Sequence, residues 1–158
     1  VTHEGNSQET LTRMYAALKA LHRDPVTLKR SMPGILVNRF HQAMYRESVY
    51  LIEQGVTTAE DINTALRYLS MRYASIGLLE FFDDVGLPLE ASIAKNVYPD
   101  LCGVTEVQDY VQQRLDAGHT GRLAGKGLLD WSKIDDADYR YRKQVPFFAT
   151  VKNWDMPK

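Results

Sequence analysis

The sequence predicts a mainly α-helical fold that is built around one long helix and preceded by a short α/β segment. Three observations support this prediction. Apolar residues recur at helical spacing for about twenty residues after Pro33, further helical patterns follow, and a helical pattern with a β-branched run comes before it. The sequence changes character at residue 31, which predicts two domains, residues 1–31 and residues 32–158.

The first domain is predicted to contain one helix and one strand. Ser7 is a suitable N-cap, because its hydroxyl can accept hydrogen bonds from the amides that follow, and apolar residues then recur at helical spacing as far as Leu21. Residues 25–29 alternate and are β-branched, which is typical of a strand. Residues 1–5 are expected to end another strand, and the order strand, helix, strand is characteristic of α/β folds.

The long helix is predicted to run from Pro33 to Gly55, over about 30 Å. Proline suits the start of a helix, where its missing N–H would have no intrahelical partner in any case. Leu36, Phe40 and Met44 form part of one apolar face. Gly55 is expected to end the helix, because glycine adopts the left-handed conformation without steric cost.

Five shorter helical segments are predicted after the long helix. Thr58 with Asp61 resembles a capping box, and so does Thr105 with Gln108, because in each case two side chains can pair with the first free amides of a helix. The predicted segments cover residues 58–69, 76–87, 88–97, 105–117 and 136–151. No strand is predicted after residue 33.

Composition argues against several classes of protein. A net charge of −1, with 44% apolar and 25% charged residues, is typical of a globular domain and unlike a nucleic-acid-binding surface. No apolar run approaches the ~20 residues that span a membrane. The only cysteine, Cys102, excludes an internal disulfide and a cysteine-built zinc site, and fits a reducing, cytoplasmic compartment. The chain begins with Val1 and is expected to be part of a longer protein.

Two features are candidates for a functional site. Asn38 lies in the first turns of the long helix, near the predicted domain boundary, where its amide could bind a carbonyl group or an oxyanion. The alternative is that Asn38 is a helix cap or a solvated residue. The glycine-rich loop 118–127 could hold a phosphate with its amides, Arg122 and Lys126, or could simply be a turn between helices. The four histidines are scattered and predict no metal site.

Four motifs occur together in the order and at the spacing of a known protein family. They are PGILVNR at 33–39, EQGVTTAEDINTAL at 53–66, IGLLEFFDDVGL at 76–87 and DAGHTGRLAGKGLLDW at 116–131. Together they resemble the C-terminal domain of the L-3-hydroxyacyl-CoA dehydrogenases. The preceding residues, from Asn6 to Lys29, resemble the end of that family's NAD-binding Rossmann domain.

The resemblance implies an NAD-dependent dehydrogenase that oxidises a 3-hydroxyl to a 3-oxo group, with this chain supplying substrate binding and a homodimer interface. The family's asparagine near the substrate carbonyl corresponds to Asn38. The catalytic histidine and most of the NAD site are expected upstream of Val1, so the chain alone is expected to be inactive. Arg122 and Lys126 lie in the family's glycine loop near the cofactor, although Leu123 replaces a family lysine there.

The sequence also departs from the fatty-acyl members of the family. Residues 71–77, MRYASIG, are more similar to the branch that oxidises small hydroxy acids, which includes the lambda-crystallin-like enzymes. The substrate is therefore expected to be a hydroxyacyl-CoA or a small non-CoA hydroxy acid or alcohol. The remaining alternative is a non-catalytic helical dimerisation module. Neither nucleic acid nor a membrane is expected as a partner.

Overall fold

The computed structural model describes residues 5–153, with side chains described as far as Pro146. The described residues contain seven α-helices and three short 3₁₀ turns, which confirms the prediction of a mainly α-helical fold. The α-helices are α1 (Gln8–Ala20), α2 (Val37–Glu53), α3 (Ala59–Ser75), α4 (Leu78–Val85), α5 (Leu87–Val97), α6 (Asp109–Asp116) and α7 (Asp136–Asn153). By its contacts the chain divides into two compact units, Val1–Glu47 and Ser48–Lys158, and each is described separately below.

The prediction of a strand at residues 25–29 is wrong. Residues 23–28 have no regular secondary structure, and residues 29 and 30 form a bend. A strand needs a neighbouring strand to accept and donate its backbone hydrogen bonds, and the described residues contain no second strand beside this segment. Most of the strand end predicted at residues 1–5 lies outside the described residues. The domain boundary at residue 31 stays a prediction.

Helix α1 begins as its sequence predicts. The Ser7 hydroxyl accepts a hydrogen bond from the Thr10 amide at 3.1 Å, so Ser7 is the N-cap. At the other end, Lys19 in the last turn of the helix forms an ion pair with Asp24. A cation in the last turn also interacts favourably with the helix dipole.

Helix α2 is shorter than predicted, because it begins at Val37 rather than at Pro33. The intervening residues form a turn in which Gly34 has φ +78° and Ile35 has φ +53°. Both values lie in the left-handed region, which an α-helix cannot include. The Arg39 guanidinium donates to the Pro33 carbonyl at 3.3 Å, across this turn. The predicted end of the helix is confirmed, since Gly55 follows it with φ +66°.

The second unit contains α3, α4 and α5 in sequence. Thr58 caps α3, since its hydroxyl accepts from the Asp61 amide at 3.2 Å and donates to the Asp61 carboxylate at 2.8 Å. Helices α4 and α5 pack on each other and are joined at Gly86, which has φ +96°. The Tyr73 and Phe81 rings meet edge to face at 6.1 Å and link α3 to α4.

Helix α6 is capped in a way that the sequence does not predict. It begins at Asp109, so the predicted capping box at Thr105 does not start it. Instead, Glu53 in the last turn of α2 accepts from the Tyr110 amide at 2.7 Å. The Gln108 side-chain amide lies 3.5 Å from the other Glu53 oxygen. A carboxylate at a helix N-terminus satisfies a free amide and complements the helix dipole.

Few side chains of the described residues are fully buried. Val49 and Cys102 are the buried apolar residues, and Gln108 is the buried polar one. Many large apolar side chains remain exposed, and the most exposed of these are Tyr68, Leu79 and Leu123. The core of the second unit is therefore small and lies where the end of α2 meets the residues that lead into α6. None of the described helices is both long and apolar enough to cross a lipid bilayer.

Candidate functional site

Asn38 is the second residue of α2 and is exposed. Because Val37 precedes it inside the helix, Asn38 is not the N-cap. Its side chain forms no hydrogen bond with any residue that the structure describes, so its amide N–H and carbonyl groups face solvent. The turn at Gly34 and Ile35 sets where the first helical turn begins, and thereby places Asn38. Exposed amide groups on a regular helix are suited to binding a carbonyl oxygen, and this role stays a prediction.

The glycine-rich loop is closed by its own backbone hydrogen bonds. The Gly121 amide donates to the Lys126 carbonyl at 2.7 Å, and the Gly127 amide donates to the Leu129 carbonyl at 3.0 Å. Further amides donate to carbonyl groups within residues 114–122, and these donors are Gly118, His119, Thr120, Ala124 and Gly125. A phosphate cradle needs several free amides that point at one place. The amides engaged here are not available for that purpose.

Gly127 shows why the loop needs glycine. A Cβ atom at this position would lie 2.7 Å from the Gly121 Cα atom, closer than two carbon atoms can approach without displacing the backbone. Gly121 itself has φ +118°, which disfavours side chains. Gly121 and Gly127 therefore allow two backbone segments to approach each other closely.

Arg122 is held by residues at the start of α7. Its Nε donates to the Asp136 carboxylate at 3.0 Å, its Nη2 contacts the same carboxylate oxygen, and its guanidinium lies 5.2 Å from the Tyr139 ring centre. The hydrogen bond from Arg122 lowers the pKa of Asp136 below its usual value. The Tyr139 ring packs edge to face on Trp131 at 4.9 Å. These contacts stabilise the connection between the loop and α7, and contact of Arg122 with a cofactor stays a prediction.

Lys126 is exposed and lines an open depression of about 450 Å³. The same depression is lined by Arg114, His119 and Asp130. Asp130 accepts from the Ser132 hydroxyl at 2.6 Å, and this bond lowers the pKa of Asp130. Sequence reasoning identified Lys126 and missed Arg114, although a tyrosine four residues before an arginine in a helix is a readable signal for a stacked pair.

Arg122 and Lys126 occupy the same loop of the second unit, whereas Asn38 belongs to the first unit. Among the residues that the structure describes, no three histidine, cysteine, aspartate or glutamate side chains cluster closely enough to hold a metal ion.

Comparison with known proteins identifies the family. Residues 34–131 match the family described as the 3-hydroxyacyl-CoA dehydrogenase, C-terminal domain. The chain belongs to this family. The match begins at the turn before α2 and ends just after the glycine-rich loop, so it includes both candidate features.

The chain is similar to several proteins that carry different names. One is 5-formyl-3-hydroxy-2-methylpyridine 4-carboxylate 5-dehydrogenase of Mesorhizobium japonicum, which is 27% identical over 130 residues, or 82% of this chain and 42% of the relative. A lambda-crystallin homolog of Rattus norvegicus is 33% identical over 51% of this chain and 25% of the relative. A fatty acid oxidation complex subunit alpha of Vibrio vulnificus is 27% identical over 92% of this chain and 21% of the relative.

Two solved structures share the fold. A crystal structure of 5-formyl-3-hydroxy-2-methylpyridine 4-carboxylic acid 5-dehydrogenase, described as an NAD⁺-dependent dismutase, has a TM-score of 0.83 at 24% identity over 98% of this chain. A 3-hydroxyacyl-CoA dehydrogenase of Archaeoglobus fulgidus has a TM-score of 0.53 at 24% identity over 94% of this chain. The chain spans about half the length of both structures, 51% and 52%.

Proposed function

We propose that the chain is the C-terminal, helical part of an NAD-dependent dehydrogenase of the 3-hydroxyacyl-CoA dehydrogenase type, which oxidises a 3-hydroxyl to a 3-oxo group. The family match over residues 34–131 is the observation that carries this proposal. Because the chain spans 42% of the relative from Mesorhizobium japonicum, the activity is proposed for the full-length protein that contains it. Alone, the chain is expected to be inactive.

In this proposal Asn38 binds the substrate carbonyl. An amide N–H that donates to a carbonyl oxygen stabilises the negative charge that builds up there. Two observations support the role: Asn38 is exposed, and it stands on a regular helix whose first turn is fixed by the preceding turn. The catalytic base is assigned to the rest of the full-length protein.

The glycine-rich loop offers few free amides to a dinucleotide. Most amides of the glycine-rich loop donate to carbonyl groups nearby, and Arg122 is engaged with Asp136. The proposal therefore assigns NAD to the rest of the protein. A cytoplasmic location is part of the proposal, because it fits NAD-linked chemistry and a single cysteine, Cys102.

A second candidate substrate class is a small hydroxy acid or alcohol without CoA. The name of the relative from Mesorhizobium japonicum favours a substrate without CoA, since that name describes a small pyridine carboxylate. The relative from Vibrio vulnificus, by contrast, belongs to a fatty acid oxidation complex. Oxidation of a hydroxyl group in either class gives a carbonyl group, so the site chemistry proposed for Asn38 applies to either one.

We also propose that the protein is a homodimer through this chain. The support is the number of large apolar side chains that stay exposed, including Tyr68 and Met71 on α3 and Leu87 at the start of α5. Exposed apolar surface of this extent is typical of an interaction site. Sedimentation of the full-length protein at micromolar concentration is expected to show a dimer, and a monomer would contradict this part of the proposal.

The test of the proposed function is NADH formation by the full-length protein with two substrates. One is 3-hydroxybutyryl-CoA and the other is free 3-hydroxybutyrate. Turnover of either one supports the dehydrogenase, and the ratio of the two kcat/KM values selects the substrate class. No NADH from either substrate, in a protein that is folded by circular dichroism, would contradict the proposal.

A further inference from the structure

The depression beside the glycine-rich loop combines several hydrogen-bond donors with positive charge. It lies between the end of α6 and the loop, and Gln113, Arg114, His119 and Lys126 line it. Its volume of about 450 Å³ falls within the range of small-molecule sites. Two of these side chains are permanent cations at neutral pH, and the other two present N–H donors.

Arg114 is held in place before any ligand arrives. Its guanidinium carbon lies 3.3 Å from the Tyr110 ring centre, and its Nη1 donates to the Tyr110 carbonyl at 2.9 Å. The Tyr110 amide is in turn bonded to Glu53 at 2.7 Å. A guanidinium that is stacked on a ring and bonded by one nitrogen keeps its other N–H groups for a ligand and loses little conformational entropy on binding.

Backbone hydrogen bonds hold the other residues that line the depression. The His119 amide donates to the Arg114 carbonyl at 2.8 Å, which ties this residue to the end of α6. The Lys126 carbonyl accepts a hydrogen bond from the Gly121 amide. The Lys126 side chain forms no ion pair with any residue that the structure describes. Backbone hydrogen bonds therefore hold the main chain on both sides of the depression, and the Arg114 guanidinium is also held through its side chain.

Among the described residues, Asp130 supplies the one carboxylate that lines the depression, and this carboxylate is already engaged. Asp130 accepts from the Ser132 amide at 3.2 Å and from the Ser132 hydroxyl at 2.6 Å, and the Lys133 ammonium lies 3.5 Å away. These donors compensate part of its charge. The two lining cations, Arg114 and Lys126, consequently exceed the lining anion, and the depression favours an anionic ligand.

We propose that this depression binds a phosphate group through Arg114, His119 and Lys126. A phosphate oxyanion accepts several hydrogen bonds and pairs with the planar guanidinium by two parallel bonds, while an ammonium adds a point charge. The phosphate can be free or part of a nucleotide. This proposal does not depend on the dehydrogenase activity, because it rests on the geometry of α6 and the loop.

The test is calorimetric binding of inorganic pyrophosphate and of ADP to the full-length protein in saturating NAD, which occupies the cofactor site proposed elsewhere in the protein. Arg114→Gln and Lys126→Gln are expected to weaken binding about tenfold each, since hydrogen bonds to charged groups are lost. Lys95→Gln on α5 is the matched control, because it removes the same charge from an exposed helix position. It is expected to bind like the unaltered protein.

The outcomes separate this site from general surface charge. Tighter binding of ADP than of pyrophosphate supports a nucleotide ligand, and equal binding supports a free phosphate group. No binding at millimolar pyrophosphate and ADP, or an equal loss in Lys95→Gln, would overturn the proposal. If Arg114→Gln does not fold, Lys126→Gln decides the test, because the Lys126 side chain is exposed. Dehydrogenase turnover is measured separately, so either proposal can fail without the other.

Discussion

The first turn of α2 and the glycine-rich loop differ in how many of their polar groups are already used. In the first turn, Asn38 is exposed and its side chain has no partner among the described residues. In the loop, the Gly121 and Gly127 amides donate to neighbouring carbonyl groups, and Arg122 is bonded to Asp136. Glycine and basic residues in a loop therefore indicate an anion site only where their hydrogen-bond donors remain available.

The largest effect is expected at the first turn of α2. Asn38→Ala in the full-length protein should lower turnover by ~10²-fold, because it removes a donor to the substrate carbonyl. Asn63→Ala, at an exposed position on α3, is the matched control and should leave turnover unchanged. Steady-state NADH kinetics measure both variants. Full activity of Asn38→Ala would show that Asn38 is a solvated residue with no part in turnover.

A substitution in the glycine-rich loop is expected to change the stability of the protein rather than its turnover. Gly127→Ala places a Cβ atom 2.7 Å from the Gly121 Cα atom, and overpacking of this kind costs about 1–3 kcal/mol. Gly103→Ala is the matched control, since nothing lies within 4 Å of its added Cβ. Urea denaturation should show a lower midpoint for Gly127→Ala alone. Equal midpoints would mean that the close approach does not stabilise the loop.

Loss of the cap on α6 is expected to lower the free energy of unfolding by a similar or smaller amount. Glu53→Ala leaves the Tyr110 amide without its acceptor at a partly buried position, which costs about 1–2 kcal/mol. Glu106→Ala, at an exposed position outside the helices, is the control and should change the free energy of unfolding little. Thermal unfolding compares the two. If both variants unfold at the same temperature, Glu53 is not the cap that holds α6.

The smallest effect is expected for the ion pair at the start of α7. Arg122 lowers the pKa of Asp136, so the stability that Asp136 contributes is present above its usual pKa of about 4 and is lost as pH falls through the lowered value. Asp136→Asn should therefore differ most from the unaltered protein at neutral pH and converge with it in acid. Thermal unfolding from neutral pH into acid measures this difference. A gap that widens in acid would contradict the assignment.

The sequence was most informative where local chemistry decides the structure. Ser7 and Thr58 cap their helices as predicted, and Gly55 ends α2, because each depends on neighbours within a few residues. Prediction from the sequence failed where contacts between residues far apart in the chain decide the structure. The strand at 25–29 needed a partner strand, and Glu53 rather than Thr105 caps α6 from more than fifty residues away.

The candidate site shows the same limit. Asn38 could be named from the resemblance, but its place inside the helix depends on the left-handed turn at Ile35, an unusual conformation for a branched residue. Arg122 was predicted as a cofactor contact, and its bond to Asp136 joins residues fourteen positions apart that no periodic pattern links.

The most direct measurement compares NADH formation by the full-length protein with that of the 158-residue chain alone, at equal molar concentration and with both 3-hydroxybutyryl-CoA and 3-hydroxybutyrate. We expect turnover by the full-length protein with one of the two substrates and none by the isolated chain. Turnover by the isolated chain, or inactivity of a folded full-length protein with both substrates, would contradict the central claim.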